Sequence, residues 1–264
     1  MSDIKKLFPY YGSKELLIED IVEEAKPAEG NIETFVDVFG GSGKVSLNVP
    51  EKIKARKIVY NDKDKRLSDT MEAIGDKELR KSAVEILKNT PINRKKFEQI
   101  KNSEIFLNTK DENAANTMYL AGTSFNNTLK WYRPNIDKNK REINNIIENV
   151  NKHGDYVGRW KIENADFRDI IPKYDSSKTL FYLDPPYIRG GERVYSEKFG
   201  IDDLKDLKEL ISNSNSNYIL SESQKDIPEV KALFGEPSKI VSHYAHPRGK
   251  ASYQGEAIWK EFSF

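Results

Sequence analysis

The sequence predicts an α/β protein with a mostly parallel sheet, helices on both of its faces and an antiparallel hairpin at the C-terminal end. Three observations lead to this fold. A strand, a glycine turn, a helix and a second strand follow one another over residues 34–60, the order that opens a doubly wound sheet. Residues 67–161 show helical periodicity and no convincing strand. Strands then return in the last third of the chain.

Each predicted element follows from apolar spacing and from the residues that end each run. The N-terminal part contains a helix at 15–24, a strand at 34–39, the start of a helix at 44–48 and a strand at 57–60. Later strands are predicted at 179–183, 217–220, 239–242 and 257–262. A helix is predicted at 203–212 with Asp202 as its N-cap, and the polar run 130–145 is predicted to be a loop.

The helical stretch divides the chain into two predicted units. An α/β domain comprises residues 1–68 and 160–264, and a helical insertion comprises residues 69–159. Residues 80–161 hold 16 Lys and Arg against 9 Asp and Glu, although the net charge of the whole chain is only +1. This local excess suits contact with phosphate groups, and a solvated helical surface explains it equally well.

The composition excludes several kinds of chemistry. The chain has no Cys, which excludes disulfides, thiolate metal sites and the Cys adduct that carbon-5 methylation of cytosine requires. His153, His243 and His246 are the only imidazoles, so we expect no metal. The sequence contains no apolar run of about 18 residues and no signal-peptide core at its start, so we expect no membrane contact and a cytoplasmic location.

A glycine turn at 39–43 follows the first strand, which carries Asp37 near its end. Glycines there let the backbone approach a ligand at the carboxyl edge of the sheet. The turn is not a P-loop, because Val38 stands at the first required Gly, and not a dinucleotide fingerprint, because Ser46 stands at the third. A plain turn between strand and helix is the alternative.

Asp62 follows the second strand, about 20 residues after the glycine turn. A carboxylate at this place can accept hydrogen bonds from both ribose hydroxyls of a nucleoside ligand. A solvated carboxylate in a turn is the alternative.

The sequence Asp184-Pro185-Pro186-Tyr187 directly follows the strand at 179–183. Two consecutive prolines end the strand and hold an extended turn. Such a turn suits chemistry on the exocyclic amine of adenine. This amine is a poor nucleophile because the lone pair of its nitrogen is delocalised into the ring. The Asp184 carboxylate and the Pro185 carbonyl can draw its protons away, and an extruded base can stack on Tyr187. A purely structural turn is the alternative.

Four ordered motifs resemble the Dam-type adenine-N6 DNA methyltransferases, especially the alpha-group, bacteriophage-like members. They are FPYYGSK at 8–14, FVDVFGGSGKVSLN at 35–48, ND at 61–62 and DPPY at 184–187. The resemblance implies a Rossmann-like sheet that binds S-adenosylmethionine and a helical insertion that recognises double-stranded DNA. The implied reaction is methyl transfer to the amine of a flipped adenine, without a metal.

The resemblance also implies roles for single residues at the cofactor. Those implied for its methionine end are Tyr10, Tyr11, Lys14, Asp37, Phe39, Gly40 and Gly41. Asp62 would hold the ribose, and Asp166 with Phe167 would bind the adenine ring. A helix-capping Asp followed by a core Phe is the alternative for that last pair.

The insertion departs from the pattern of the family. The sequence 125–129 reads FNNTL where the family often has an Asn-Gly-Leu turn, and a later family stretch is reduced to WYRPN at 131–135. The candidate DNA contacts are Asn126 and Asn127, the base reader Arg133, and the phosphate neutralisers Lys95 and Lys96. A phosphate contact is the alternative for Arg133, and a solvated surface is the alternative for the two lysines. The sequence implies neither GATC as the target nor a restriction endonuclease as a partner.

Two other functions stay open at this stage. One is an amine methyltransferase that acts on RNA, on a protein amide or on cytosine-N4. The other is a non-catalytic DNA-binding module on a methyltransferase scaffold. Within the resemblance, the Asp before Pro-Pro-Tyr favours adenine and the basic insertion favours DNA, whereas intact Lys14, Asp62 and Asp184 argue against a non-catalytic module.

Overall fold

The computed structural model describes residues 4–12, 14, 16–103, 109–188, 199–223, 227–245 and 252–264. Within them, seven strands form one sheet in the order β3-β2-β1-β4-β5-β7-β6. The strands are β1 Thr34–Asp37, β2 Lys57–Asn61, β3 Lys161–Glu163, β4 Thr179–Leu183, β5 Asn217–Ser223, β6 Lys239–Ala245 and β7 Ser252–Glu261. Strands β1 to β5 pair in parallel, and β7 runs antiparallel to β5 and β6. The predicted sheet and its C-terminal hairpin are confirmed.

Ten α-helices lie within the described ranges. They are α1 Ile18–Ala25, α2 Lys44–Lys52, α3 Lys65–Gly75, α4 Lys77–Asn89, α5 Arg94–Lys101, α6 Lys110–Thr123, α7 Ile136–Val157, α8 Phe167–Lys173, α9 Ile201–Ser212 and α10 Ile227–Phe234. Short 3₁₀ turns occur at Lys26–Ala28 and Phe125–Asn127.

Alternate side chains of the central strands pack against different helices, as the two-residue period of a strand requires. On one face Phe35 and Tyr182 belong to a buried cluster with residues of α1 and α2. On the other face Val36 and Phe181 belong to a second cluster with residues of α8, α9 and α10. The sheet is therefore covered on both faces, as predicted.

Helices α3 to α7 form the insertion. Their buried residues, among them Met71, Phe97, Met118 and Ile146, belong to the same cluster as the sheet face that holds Phe35. The insertion and this sheet face therefore share one continuous core. The division of the chain into domains at residues 68 and 160 stays a prediction.

The predicted loop at 130–145 is wrong for most of its length, because α7 begins at Ile136. The Asn135 side chain caps this helix by accepting a hydrogen bond of 2.9 Å from the Lys138 N–H. Its buried positions include Ile143, Ile146 and Val150, at spacings of three and four residues. The polar residues lie on the other faces of α7. The segment 130–145 contains only the first part of this helix, so the helical period of its apolar residues cannot be recognised there.

The predicted N-cap of α9 is also wrong by two residues. Gly200 holds that position, and its N–H donates to the Asp203 carboxylate at 2.8 Å. Asp202 lies in the first turn and forms an exposed ion pair with Lys205.

Three elements are additions to the predicted set: β3, α8 and α10. Each is short, with three to eight residues, so its apolar pattern is weak.

Candidate active site

A cleft opens where β1, β2 and β4 end, because parallel strands present their carboxyl ends at one edge of the sheet. All residues that were predicted to bind the cofactor line it, namely Tyr10, Tyr11, Lys14, Asp37, Phe39, Gly40, Gly41, Asp62, Asp166 and Phe167. Asp184 and Pro186 of the DPPY sequence line the same cleft. The topology thus brings together residues that are up to 176 positions apart, from Tyr10 to Pro186, and their individual roles stay predictions.

The glycine turn forms the floor between β1 and α2. A Cβ atom on Gly40 would lie 2.2 Å from the ring of Tyr60, so a larger residue does not fit there. Gly41 has a φ of +52°, and its carbonyl accepts a hydrogen bond of 2.7 Å from the Tyr60 hydroxyl. Steric space and backbone conformation therefore both require glycine.

Asp37 ends β1 and is 1% exposed. Its Oδ2 accepts a hydrogen bond of 2.7 Å from the Ser46 hydroxyl, whereas Oδ1 has no hydrogen-bond partner among the described residues. Burial, reinforced by the nearby carboxylates of Asp184 and Asp62, raises the pKa of Asp37 to about 7. A buried acceptor beside a cleft suits a cationic ligand group, which would also restore the ionised form.

Asp62 follows β2 and ties the end of this strand to the glycine turn. Its carboxylate accepts hydrogen bonds from the N–H groups of Gly41, at 2.9 Å, and Asp64, at 2.8 Å. Burial and the neighbouring Asp64 raise the pKa of Asp62 to about 7. Each carboxylate oxygen can accept more than one hydrogen bond, so Asp62 keeps capacity for a ligand hydroxyl.

Three phenylalanines form the apolar end of the cleft. The ring centroid of Phe39 lies 5.8 Å from that of Phe167 and 5.9 Å from that of Phe199. Phe199 was not predicted, because no local motif surrounds it and only the start of α9 brings it to the cleft.

Asp166 caps α8 through the Arg168 N–H, and its carboxylate also pairs with Lys63 at 3.1 Å. The capping alternative is therefore confirmed for Asp166, at a position that borders the cleft.

The DPPY sequence leaves β4 at the rim of the cleft. The Asp184 side chain is 18% exposed, and its Oδ1 lies 2.8 Å from the Lys14 ammonium and 3.4 Å from the Ser221 hydroxyl. Burial raises the pKa of Asp184 to about 6, against the opposing effect of Lys14. Asp184 is thus mostly ionised at neutral pH and can accept hydrogen bonds.

A further carboxylate, Glu256 of β7, completes this group. The Lys14 ammonium lies 3.2 Å from Glu256 Oε2, and the Tyr187 hydroxyl donates to Glu256 Oε1 at 2.9 Å. Burial alone would lower the pKa of Lys14, but Asp184, Tyr187 and Glu256 raise it well above its ordinary value. The sequence offers no signal for Glu256, because it lies in a strand about 70 residues after Tyr187.

The predicted DNA contacts are distributed unevenly over the insertion. Lys95 is exposed and Lys96 half-buried on α5. Asn126 and Asn127 lie in a loop with φ angles of +51° and +57°, and the Asn127 carbonyl accepts a hydrogen bond of 3.0 Å from the Tyr11 N–H. The loop therefore contacts the N-terminal segment of the cleft directly.

Arg133 does not face solvent. It is 9% exposed, its Nε donates to Asn139 Oδ1 at 2.8 Å, and its guanidinium also donates to the Gly122 carbonyl. These bonds join the end of α6 to the start of α7. Two donors of the guanidinium, Nε and Nη2, are therefore bound inside the insertion, which favours a structural role for Arg133, and its role as a reader of base edges stays a prediction.

A second pocket shares Tyr10 and Tyr11 with the cleft. Its remaining lining combines cations and apolar or aromatic groups, namely Arg66, Lys101, Thr128, Leu129, Lys130 and Trp131. Trp131 is 54% exposed.

In the described ranges no helix is long and apolar enough to cross a membrane, and no group of three acidic or imidazole side chains is placed to hold a metal ion.

The comparisons with known proteins agree with this geometry. Residues 10–245 match the family described as D12 class N6 adenine-specific DNA methyltransferase. A Haemophilus influenzae protein that carries the name of a methyltransferase is 26% identical over 229 residues, which cover 82% of this chain and 75% of that protein. The modification methylase StsI of Streptococcus sanguinis is 25% identical over 260 residues, 93% of this chain, which spans only 38% of its length.

Solved structures resemble this chain at a lower sequence identity. A Pyrococcus horikoshii protein named as an RNA methyltransferase aligns over 95% of this chain and 85% of its own, at 10% identity and a TM-score of 0.44.

The sheet order, the glycine turn and the cleft define a methyltransferase that uses S-adenosylmethionine. Because the match covers most of its length, the chain belongs to the D12 class of N6 adenine-specific DNA methyltransferases.

Proposed function

We propose that this protein transfers the methyl group of S-adenosylmethionine to the exocyclic amine of an adenine in double-stranded DNA. The observation that carries the proposal is the position of Asp184. It lies two residues beyond Tyr182, which is paired with Asp37 across β1 and β4. The Asp184 carboxylate is therefore next to the cofactor cleft and still partly open to a substrate.

Residues that could hold each part of the cofactor line the cleft. Asp37 would bind the methionine ammonium through Oδ1, which accepts no hydrogen bond from the described residues, and Asp62 would accept from the ribose hydroxyls. The adenine ring would pack among Phe39, Phe167 and Phe199. When bound, the cofactor supplies a methyl group on a cationic sulfur, which keeps the carbon–sulfur electron pair as the methyl group leaves.

Asp184 would act on the substrate amine. As a carboxylate it accepts a hydrogen bond from the amine, which favours a pyramidal nitrogen with an available lone pair. That lone pair forms the new nitrogen–carbon bond, and the negative charge of Asp184 stabilises the positive charge that develops on nitrogen. The surplus amine proton then leaves to Asp184 or to water. The Pro185 carbonyl would be the second acceptor.

A paired adenine cannot reach Asp184, so the base must leave the helix at a cost of a few kcal/mol. Stacking on the Tyr187 ring and phosphate contacts from the insertion would offset this cost. Support for DNA comes from the basic balance of residues 80–161 and from the exposed Phe125 and Trp131 in the loop that contacts Tyr11.

Transfer of tritium from labelled S-adenosylmethionine tests the proposal. Three substrates are compared: a duplex with adenine, a duplex of G·C pairs only, and an RNA that contains adenine. We expect label in the first substrate alone. Equal label in the G·C duplex would indicate cytosine-N4, and label in RNA alone would indicate an RNA enzyme. Cofactor binding without any transfer would indicate a non-catalytic module.

A further inference from the structure

The arrangement of Lys14 raises a problem for the proposed chemistry. Its ammonium lies 2.8 Å from Asp184, the carboxylate that would support a positive charge on the substrate nitrogen. An isolated pair of Lys14 and Asp184 is neutral overall, so it would stabilise that developing charge weakly. A third group must supply negative charge if Asp184 is to act on the amine.

We propose that Glu256 is a positioning residue that takes over the Lys14 ammonium when an amine substrate occupies Asp184. The inference rests on the proposed function. With Glu256 the group contains two carboxylates, those of Asp184 and Glu256, around the one buried ammonium of Lys14, and it therefore carries a net negative charge. When the Lys14 ammonium moves to Glu256, the Asp184 carboxylate becomes available to the substrate amine. The charge of Lys14 is then balanced by Glu256.

The distances allow this transfer with little movement. Lys14 Nζ is 3.2 Å from Glu256 Oε2, against about 2.8 Å for an ordinary charge-assisted hydrogen bond. Lys14 already donates to Glu256 Oε1 at 3.5 Å, whereas Glu256 Oε2 accepts no hydrogen bond within the described part of the chain. A shift of about half an ångström by a flexible lysine side chain therefore completes the contact.

The fold holds Glu256 in place for this role. Its strand β7 pairs on both sides, with Ser223 of β5 and Val241 of β6 at the register of Glu256. Its Oε1 accepts from the Tyr187 hydroxyl at 2.9 Å, and the Lys14 ammonium lies 5.1 Å from the centre of the Tyr187 ring. Glu256 thus also fixes the ring on which the target base is proposed to stack.

Glu256→Gln tests the inference, because the amide keeps the size and an acceptor for Tyr187 but removes the charge. We expect kcat to fall at least tenfold while KM for DNA and the affinity for S-adenosylmethionine change less than threefold. Glu256→Asp, which keeps the charge, should recover part of kcat. Glu261→Gln, on the same strand but exposed, is the matched control and should behave as the wild type.

The pH profile separates this role from a purely structural one. The groups that face Asp184 are Lys14, Tyr182, Tyr187, Ser221, Glu256 and Asp37. Of these groups, the Glu256 carboxylate raises the pKa of Asp184. Glu256→Gln removes that charge and so lowers the pKa of Asp184, which should move the acidic limb of kcat/KM to lower pH. Glu256→Asp should leave the limb near that of the wild type.

An unshifted limb with kcat within threefold of the wild type would overturn the inference. A loss of equal size at every pH together with a lower Tm would also overturn it, since Glu256 would then only support the fold. Both comparisons use whichever amine the wild type methylates. Methylation of cytosine instead of adenine would therefore refute the proposed function while Glu256 is still tested.

Discussion

The cleft at the sheet edge and the helical insertion use polar residues in different ways. In the cleft, polar groups are buried with binding capacity left over, as for Asp37, whose Oδ1 has no hydrogen-bond partner among the described residues. In the insertion, the buried Arg133 uses its donors to join two helices, and the exposed Lys95 faces solvent. The buried Asp37 thus keeps an acceptor available beside the cleft, whereas the buried Arg133 serves packing.

This difference follows from how each backbone is built. A strand that ends in a glycine turn or in two prolines fixes where the next side chain points, whatever lies around it. A helix presents every side chain in turn, so its packing partners decide which of them face solvent. In this protein the cleft residues at strand ends could be predicted from short motifs, whereas the partners of Arg133 on two helices could not.

The largest expected effect is on Asp184, in the cleft. Asp184→Asn should lower kcat at least a hundredfold, on the order of 3 kcal/mol, because the amide carries no charge to stabilise the developing ammonium. The affinity for S-adenosylmethionine, measured by calorimetry, should stay within a few-fold. Asp202→Asn, an exposed carboxylate on α9, is the control. Turnover at a tenth of the wild-type rate or more would contradict the mechanism.

A smaller effect is expected for Asp62, at the ribose end of the same cleft. Asp62→Ala should weaken binding of S-adenosylmethionine by about 1–3 kcal/mol, the cost of losing charge-assisted hydrogen bonds. Asp76→Ala removes a carboxylate that caps α4 in the insertion and should leave cofactor affinity unchanged. Unchanged affinity in Asp62→Ala would make this residue a structural tie of the glycine turn only.

Arg133 tests the other half of the comparison. Arg133→Ala should destabilise the protein by about 2 kcal/mol in urea unfolding, because the Gly122 carbonyl and Asn139 lose a buried charged partner. Competition binding with single-base variants of a preferred site should show an unaltered order of preference. A changed preference at one base with unaltered stability would restore Arg133 as a base reader.

The smallest effect is expected at the insertion surface. Replacing Lys95 and Lys96 together by Ala should weaken DNA binding less than tenfold and by the same factor for all sequences. The slope of log affinity against log salt should fall by about 2, one counterion for each lost contact. Lys54 and Lys178, which pair with Glu29 and Glu33 away from the cleft, provide the control double variant. An equal loss in both double variants would remove α5 from the DNA surface.

Most of the sheet and most of the cleft could be predicted from the sequence, since both depend on local signals. The strand at 179–183 has the predicted bounds, and the DPPY sequence after it reaches the cleft. Glu256 and Phe199 could not be predicted, because strand pairing brings Glu256 to Lys14 and Tyr187 and the start of α9 brings Phe199 to the cleft. The hydrogen-bond partners of Arg133 could not be predicted either, because they lie in two different helices.

The central claim is that Asp184 directs methyl transfer to adenine-N6, and the methylated bases of cellular DNA test it most directly. DNA is isolated from a methylation-free host that expresses the chain or its Asp184→Asn variant, and its nucleosides are separated and weighed by mass spectrometry. The account predicts N6-methyladenine with the wild type and none with the variant. N4-methylcytosine, or equal N6-methyladenine from both chains, would contradict it.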